Sequence, residues 1–149
     1  MKVSDVMTFG GLNCKQGDSL HDAVQKMVMR RCGSLPVVDD SDDSKLVGII
    51  AIRDSMLPLY PNFGEYVHDS QHARDFEGME ENYKRVMCMK VKDVMTPDPM
   101  TVDSATPVLK AASFMGLKNL RRLPVVDDGK LVGMVSIGDI NRGMFISLS

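Results

Sequence analysis

The sequence predicts a mixed α/β (α+β) fold in which two pseudo-symmetric βαββα repeats pack as one module, with a helical connection between them. Three observations carry this expectation. Leu35-Pro36-Val37-Val38-Asp39-Asp40 recurs letter for letter as Leu123 to Asp128, and Lys45-Leu46-Val47-Gly48 recurs as Lys130 to Gly133. The interval that separates Leu35 from Leu123 also separates Val3-Ser4-Asp5-Val6-Met7-Thr8 from Val91-Lys92-Asp93-Val94-Met95-Thr96. In each copy an apolar run, a polar turn and a second apolar run follow one another, which is the pattern of a hairpin of two buried strands. Two copies are too few for a solenoid and point to a pair in which each half covers the other's apolar face. Repeat one spans 1–56, a loop and connecting helix span 57–90, and repeat two spans 91–149.

Taken in order, Val3 to Met7 forms a short helical turn that leads through Thr8-Phe9-Gly10 to a strand around Gly11 to Cys14. Ser19 is placed to cap a helix whose inward face carries Leu20, Ala23, Val24, Met27 and Val28, until Gly33 stops it. The methionines on that face are core packing. Strands over Leu35–Asp39 and Leu46–Ile50 follow, and a second helix begins near Ile52. The turn Asp39-Asp40-Ser41-Asp42-Asp43 absorbs the three residues by which the copies differ. It lacks the central glycine and terminal glutamate of a calcium loop, so it is expected to be a solvated hairpin tip. Two prolines and a glycine break Met56 to Gly64 into loop or short turns. Asp75 to Met89 is a charged helix with a stripe of Phe76, Met79, Tyr83, Val86 and Met87, suited to a mobile reporter. His68 and His72 share a helical spacing near Glu65, but no third strong ligand accompanies them, so solvated histidines rather than a zinc site are expected. Repeat two has a strand near Met100 to Val102 and a helix capped by Thr106, opened by Pro107, with Val108, Ala111, Ala112, Met115 and Leu117 inward. The hairpin of Leu123 to Ser136 and a last helix from Ile137 complete it.

A chain of 149 residues accommodates two small halves that share a core. The 18 basic and 20 acidic residues give a net charge of −2, which offers no global attraction for nucleic acid or anionic membrane. Only eight aromatic residues, five Phe and three Tyr, are available as stacking platforms, a further argument against single-stranded nucleic acid. Cys14, Cys32 and Cys88 are odd in number and irregular in spacing, with Cys14 and Cys32 inside expected core elements, so they are reduced thiols. No apolar run approaches the ~18 residues of a membrane helix, and no charged-then-apolar leader opens the chain, which makes a cytoplasmic protein the expectation.

The duplicated Asp-Val-Met-Thr, the duplicated Leu-Pro-Val-Val-Asp, and Gly48-Ile-Ile-Ala-Ile-Arg-Asp54 set against Gly133-Met-Val-Ser-Ile-Gly-Asp139 together resemble cystathionine-β-synthase-type (CBS) domains, in the tandem arrangement called a Bateman module. The resemblance covers roughly residues 3–56 and 91–146. It implies clefts between the paired repeats for an adenosine-containing ligand such as AMP, ADP, ATP or S-adenosylmethionine, held as a regulatory ligand with no cofactor required. It also implies dimerisation through helices.

The residues support this on chemical grounds. At Gly133-x-x-Ser136-x-Gly138-Asp139 the chain passes from a strand end to a helix N-terminus, where free N–H groups and the positive dipole end favour an anion. Ser136 is placed to meet phosphate oxygens, and Asp139, three residues on, is an acceptor suited to ribose hydroxyls. Gly133 permits close backbone approach. The same pair also spells a helix cap, with Ser136 as N-cap and Asp139 complementing the dipole. In repeat one Asp54 is kept, Ala51 replaces the hydroxyl residue and Arg53 stands opposite Gly138, so the Asp139 cleft is expected to be the stronger. Arg121 and Arg122 resemble the family position that faces phosphate, and guanidinium forks suit it. Their counterparts are Gly33 and Ser34, so the cations are expected from repeat two, with Lys118 peripheral. The resemblance points to Met7 and Leu12 for one adenine and to Met95 and Met100 for the other, without deciding which pair serves which aspartate. No nucleophile-base or metal-hydrolase pattern is present, so the expectation is a stand-alone, non-enzymatic sensor that signals to an unidentified effector protein. A ligand-free dimeric scaffold is the competing reading.

Overall fold

The computed structural model describes residues 1–59 and 76–149. His68, His72 and Glu65, the loop residues Tyr60 to Gly64, and the side chain of Phe76 lie outside the described residues. In chain order come a 3-10 turn at Val3–Asp5, β1 (Thr8–Phe9), β2 (Cys14–Lys15), α1 (Leu20–Met29), β3 (Ser34–Val38), β4 (Leu46–Ala51) and 3-10 turns at Ile52–Ser55 and Leu57–Leu59. Then follow α2 (Phe76–Met87), α3 (Val91–Val94), β5 (Thr96–Pro97), α4 (Val108–Lys118), β6 (Arg122–Asp127), β7 (Lys130–Ser136) and α5 (Ile137–Ser147).

The segments that open the two repeats are exchanged. β1 belongs to repeat one by sequence but pairs antiparallel with β7, Thr8 opposite Met134 and Phe9 opposite Gly133. β5 belongs to repeat two but pairs antiparallel with β4, Pro97 opposite Gly48. The sheets are therefore β2-β3-β4-β5 and β1-β7-β6. A parallel bridge from Val102 to Val125 extends the second, as the parallel pairing of Cys14 with Val37 does the first. Backbone hydrogen bonds fasten both exchanges in the same way. Val3 and Ser4 N–H donate to the carbonyls of Thr106 (2.8 Å) and Ser104 (2.9 Å), while Val91 and Lys92 N–H donate to those of Asp18 (2.9 Å) and Gln16 (3.0 Å).

Each core consequently contains side chains from the other repeat. Val91 is buried with Leu20, Met27, Val37 and Ile50, whereas Val3 and Met7 are buried with Val108, Met115, Val125 and Val135. Fully burying one such aliphatic side chain contributes about 1.5 to 3 kcal/mol, so each lead-in is a substantial part of the stability of the opposite half. Val86 and Met87 anchor the end of α2 in the first core, with Tyr83 packed beside them.

Several local expectations need correction. Gly10 and Gly11 have left-handed φ of 63° and 88°, so Gly11 opens no strand and β2 begins only at Cys14. Near Met100, Val102 makes only an isolated bridge. Ser19 does cap α1, its Oγ accepting from Asp22 N–H at 3.1 Å, but Val28 is 61% exposed and lies off the inward face. α1 ends at Met29, ahead of a left-handed Arg31 at φ 51° rather than at Gly33, and a left-handed Asn119, at φ 54°, ends α4. Thr106 does not cap α4: its hydroxyl donates to Asp103 Oδ1 at 3.0 Å, and Pro107 precedes the first helical residue. Leu117 is 83% exposed. In the acidic tip, Asp39 and Asp42 accept side-chain and backbone bonds from Ser41 and Ser44, which hold both carboxyls below their ordinary range. No helix among the described residues is long and apolar enough to cross a membrane.

Burial pushes the Cys14 thiol up to about 12, and the nearby Lys26 charge only partly offsets this. The unfolded thiol ionises above about pH 8.5 and the buried one does not, so stability falls as pH rises from there toward 12. Urea midpoints at pH 8 and pH 10 should show a smaller alkaline loss in Cys14→Ala than in the wild type. A Cβ at Gly133 would run into Thr8 O and come within 2.6 Å of Met7 Cε, whereas one at Gly138 would meet only Ser136 Oγ, at 3.6 Å. Urea denaturation should therefore show Gly133→Ala destabilised by about 1 to 3 kcal/mol and Gly138→Ala changed by no more than about 0.5 kcal/mol.

Candidate functional site

The exchange of β1 creates the concavity that matters. After pairing with β7, the chain turns at Gly10 and Gly11 and brings Leu12 along the end of the second hairpin. The resulting cleft of about 340 Å³ is walled on one side by Thr8, Leu12, Arg30, Cys32 and Ser34 of repeat one. Repeat two supplies Arg122, Met134, Ser136 and Asp139. Arg122 lies directly opposite Ser136 in the β6–β7 register, which carries the guanidinium and the hydroxyl to the same strand end.

The start of α5 is a reciprocal capping box. Ser136 Oγ accepts from Asp139 N–H and Asp139 Oδ2 accepts from Ser136 N–H, both at 2.9 Å. Ile137 N–H donates to Arg121 O at 2.9 Å. The expectation of several free amides is corrected accordingly: only Gly138 N–H in this first turn lacks a hydrogen-bond partner among the described residues. What the cleft retains is the Ser136 hydroxyl proton and Asp139 Oδ1, with the exposed Gly138 amide beside them. That oxygen is 3.8 Å from Arg142 Nη1, in a pair whose arginine is largely solvated and which is therefore weak.

Of the residues singled out from the sequence, Leu12, Arg122, Ser136 and Asp139 come together, with Gly138 exposed beside them. Arg121 does not join them. It lies just ahead of β6 with its side chain exposed, and only its carbonyl is used. Gly133 admits the backbone of Thr8, so its close approach is to β1. Met7 is core, buried against the second hairpin. The expectation that the cations come from repeat two alone is also corrected, because Arg30 lines the cleft from repeat one. The signal for it was present: the interval that pairs Arg121 with Gly33 pairs Lys118 with Arg30. Cys32 lines the cleft as well, partly buried and packed against the core that contains Cys14.

The pseudo-equivalent end of repeat one is built differently. Asp54 Oδ2 accepts from Ala51 N–H at 2.7 Å, and Ile52 N–H donates to Gly33 O at 2.8 Å, so half of the arrangement is repeated. Ala51 has no oxygen to return the bond, and only a 3-10 turn follows. Met95 Sδ would be 2.5 Å and Thr96 O 2.9 Å from a Cβ at Gly48, so the lead-in of repeat two serves the Asp54 side and that of repeat one the Asp139 side. Met100 packs against the second core. Asp98, at φ 45°, stands where repeat one has Gly10.

A second groove, of about 430 Å³, runs over the outside of α1 and shares Leu12 and Arg30 with the cleft. Two of its polar groups are already engaged, Asp18 Oδ2 by Lys15 N–H at 2.9 Å and Lys26 Nζ by Asn13 O at 3.0 Å. The Asp139 cleft, with its unspent donors and acceptors, is the stronger candidate site.

A family model described as the CBS domain matches residues 3–54 and 91–145. The chain is 31% identical to the uncharacterized protein YlbB of Bacillus subtilis over 140 residues, covering 94% of this chain and 80% of that one. It is 32% identical over 136 residues to the CBS domain-containing protein CBSX2, chloroplastic, of Arabidopsis thaliana, and there it spans 56% of the relative's length. A crystal structure of CBSX2 in complex with AMP superposes with a TM-score of 0.74 at 30% identity, covering 99% of this chain and 98% of that one. The CBS domain pair of protein MJ0100, at 24% identity and a TM-score of 0.69 over 97% of this chain and 99% of that one, shares the fold.

The capping asymmetry is testable without ligand. Thermal denaturation should show Ser136→Ala destabilised by about 0.5 to 2 kcal/mol, and Ala51→Ser stabilised by an amount in the lower half of that range, because each removes or adds one N-cap acceptor.

Proposed function

The chain belongs to the CBS-domain family, and from that premise we propose that it is a regulatory module that takes an adenosine-containing ligand in the Asp139 cleft and passes its occupancy to an effector protein. One observation carries this reading. A single cleft at the seam of the two repeats gathers an apolar wall at Leu12, a guanidinium at Arg122, a hydroxyl at Ser136 and a carboxylate oxygen at Asp139, the groups that a base, a phosphate and a ribose require. In this assignment Leu12 packs the base, Asp139 Oδ1 accepts from the ribose hydroxyls, and Ser136 Oγ–H, Gly138 N–H and Arg122 hold the phosphate. The bound AMP of CBSX2, a relative of the same fold and similar sequence, supports the ligand class.

Occupancy becomes a signal through β1. Thr8 and Leu12 form one wall of the cleft while Val3 and Met7 are buried in the second core, so a ligand that binds one placement of the lead-in better than another shifts the population between them. The Asp54 end, with Ala51 in place of the hydroxyl residue, is the weaker one, and one ligand per chain is the expected stoichiometry. Leu109 and Leu117 on α4 and Phe145 and Ile146 on α5 are exposed, and these two helices pack together, which supports a homodimer formed through the helices. Three free cysteines suit a reducing compartment such as the cytoplasm.

A thermal-shift panel of AMP, ADP, ATP, NAD and S-adenosylmethionine should raise the melting temperature for at least one adenosine compound, as mass action requires of a ligand of the native state. No shift at millimolar concentration across the panel defeats the reading. In calorimetry, Asp139→Asn should weaken AMP binding about ten- to hundredfold and erase the preference for AMP over its 2′,3′-dideoxy analogue. A preference that persists in the variant removes Asp139 from the ribose.

A further inference from the structure

We infer that Arg30 of repeat one and Arg122 of repeat two form the two sides of one anion seat, so that the Asp139 cleft selects a 5′-phosphorylated adenosine over an adenosyl sulfonium. The inference rests on the adenosine reading and narrows it to one class of ligand. Both arginines line the same cleft, and neither guanidinium has a hydrogen bond or ion pair among the described residues. Asp139, the one carboxylate lining that cleft, pairs with neither of them and offsets one of their two charges, which leaves a positive surplus. In a chain of net charge −2, two unpaired arginines lining one concavity are not the surplus of a basic protein.

The chemistry follows from the charges. A phosphate monoester offers oxygens to both planar forks and to Gly138 N–H, whereas a sulfonium brings a third positive charge into a partly desolvated site and is repelled. Because one fork comes from each repeat, a phosphate held by both also ties the repeats across their seam. The interval between the copies sets Lys118 opposite Arg30 and Ser34 opposite Arg122, so the two pseudo-equivalent positions supply no guanidinium.

The test is calorimetry on the full chain with AMP, with 5′-methylthioadenosine, which keeps the nucleoside and lacks the phosphate, and with S-adenosylmethionine. AMP should bind at least about tenfold more tightly than the other two. Arg30→Gln and Arg122→Gln should each weaken AMP about ten- to hundredfold and leave 5′-methylthioadenosine unchanged. Lys118→Gln should alter neither, and added salt should erode only the AMP advantage. Arg30 is exposed at the end of α1, so its replacement leaves the fold intact. An unchanged ratio of AMP to 5′-methylthioadenosine affinity in Arg30→Gln, or S-adenosylmethionine binding as tightly as AMP, overturns the inference. If 5′-methylthioadenosine binds as well as AMP, the adenosine reading stands and this one falls; if none of the three binds, both fall.

Discussion

The molecule depends on two places where one repeat's backbone is pressed against the other's hairpin without room for a side chain. At Gly133 the oxygen of Thr8 occupies the space a Cβ would need, and at Gly48 the chain of Met95 and Thr96 does the same. These contacts let β1 and β5 join the opposite sheets and carry Val3 and Val91 into the opposite cores. Neither half retains a complete core if its partner's lead-in is withdrawn. The duplication is thus one interlocked unit rather than two domains in series.

The cleft is a by-product of that interlock. β1 must leave its edge position after two residues, and the left-handed glycines Gly10 and Gly11 let it do so sharply enough for Leu12 to face the strand end that bears Arg122 and Ser136. The capping box then fixes where the remaining polar groups sit. Ser136 and Asp139 satisfy each other, which orients the carboxylate and leaves one oxygen and one amide for a guest. Structural cap and binding element are therefore the same residues, and the two readings of Ser136 and Asp139 do not compete. At Ala51 the reciprocal bond is missing, and the helix that follows β7 has only a 3-10 turn as its counterpart after β4.

Features that local chemistry dictates were legible beforehand, such as the two hairpins, the cap at Ser19 and the grouping of Ser136 with Asp139 near Arg122. Misreadings arose where a neighbour distant in sequence decided the outcome. Val28 and Leu117 fit an apolar helical spacing yet face outward, because the inward stripe is narrower than the sequence pattern. Arg121 and Arg122 are alike as letters, and the pairing of β6 with β7, which begins at Arg122 opposite Ser136, sets one in the cleft and leaves the other exposed ahead of the strand. Nothing local marks Arg30, because its place in the cleft depends on which repeat faces it.

By itself the sequence determined that there are two copies, what elements each contains and which copy is chemically better equipped, since periodicity, turn residues and the presence or absence of a hydroxyl are properties of short segments. Only the tertiary structure decided that the lead-ins cross over, that Met7 and Leu12 accompany Asp139 while Met95 accompanies the Asp54 side, and that guanidiniums from both repeats share one cleft. Either lead-in could have matched either hairpin by letter, because the copies are nearly identical there. The choice was made by packing, through the loss of space at Gly133 and Gly48, which no local pattern encodes.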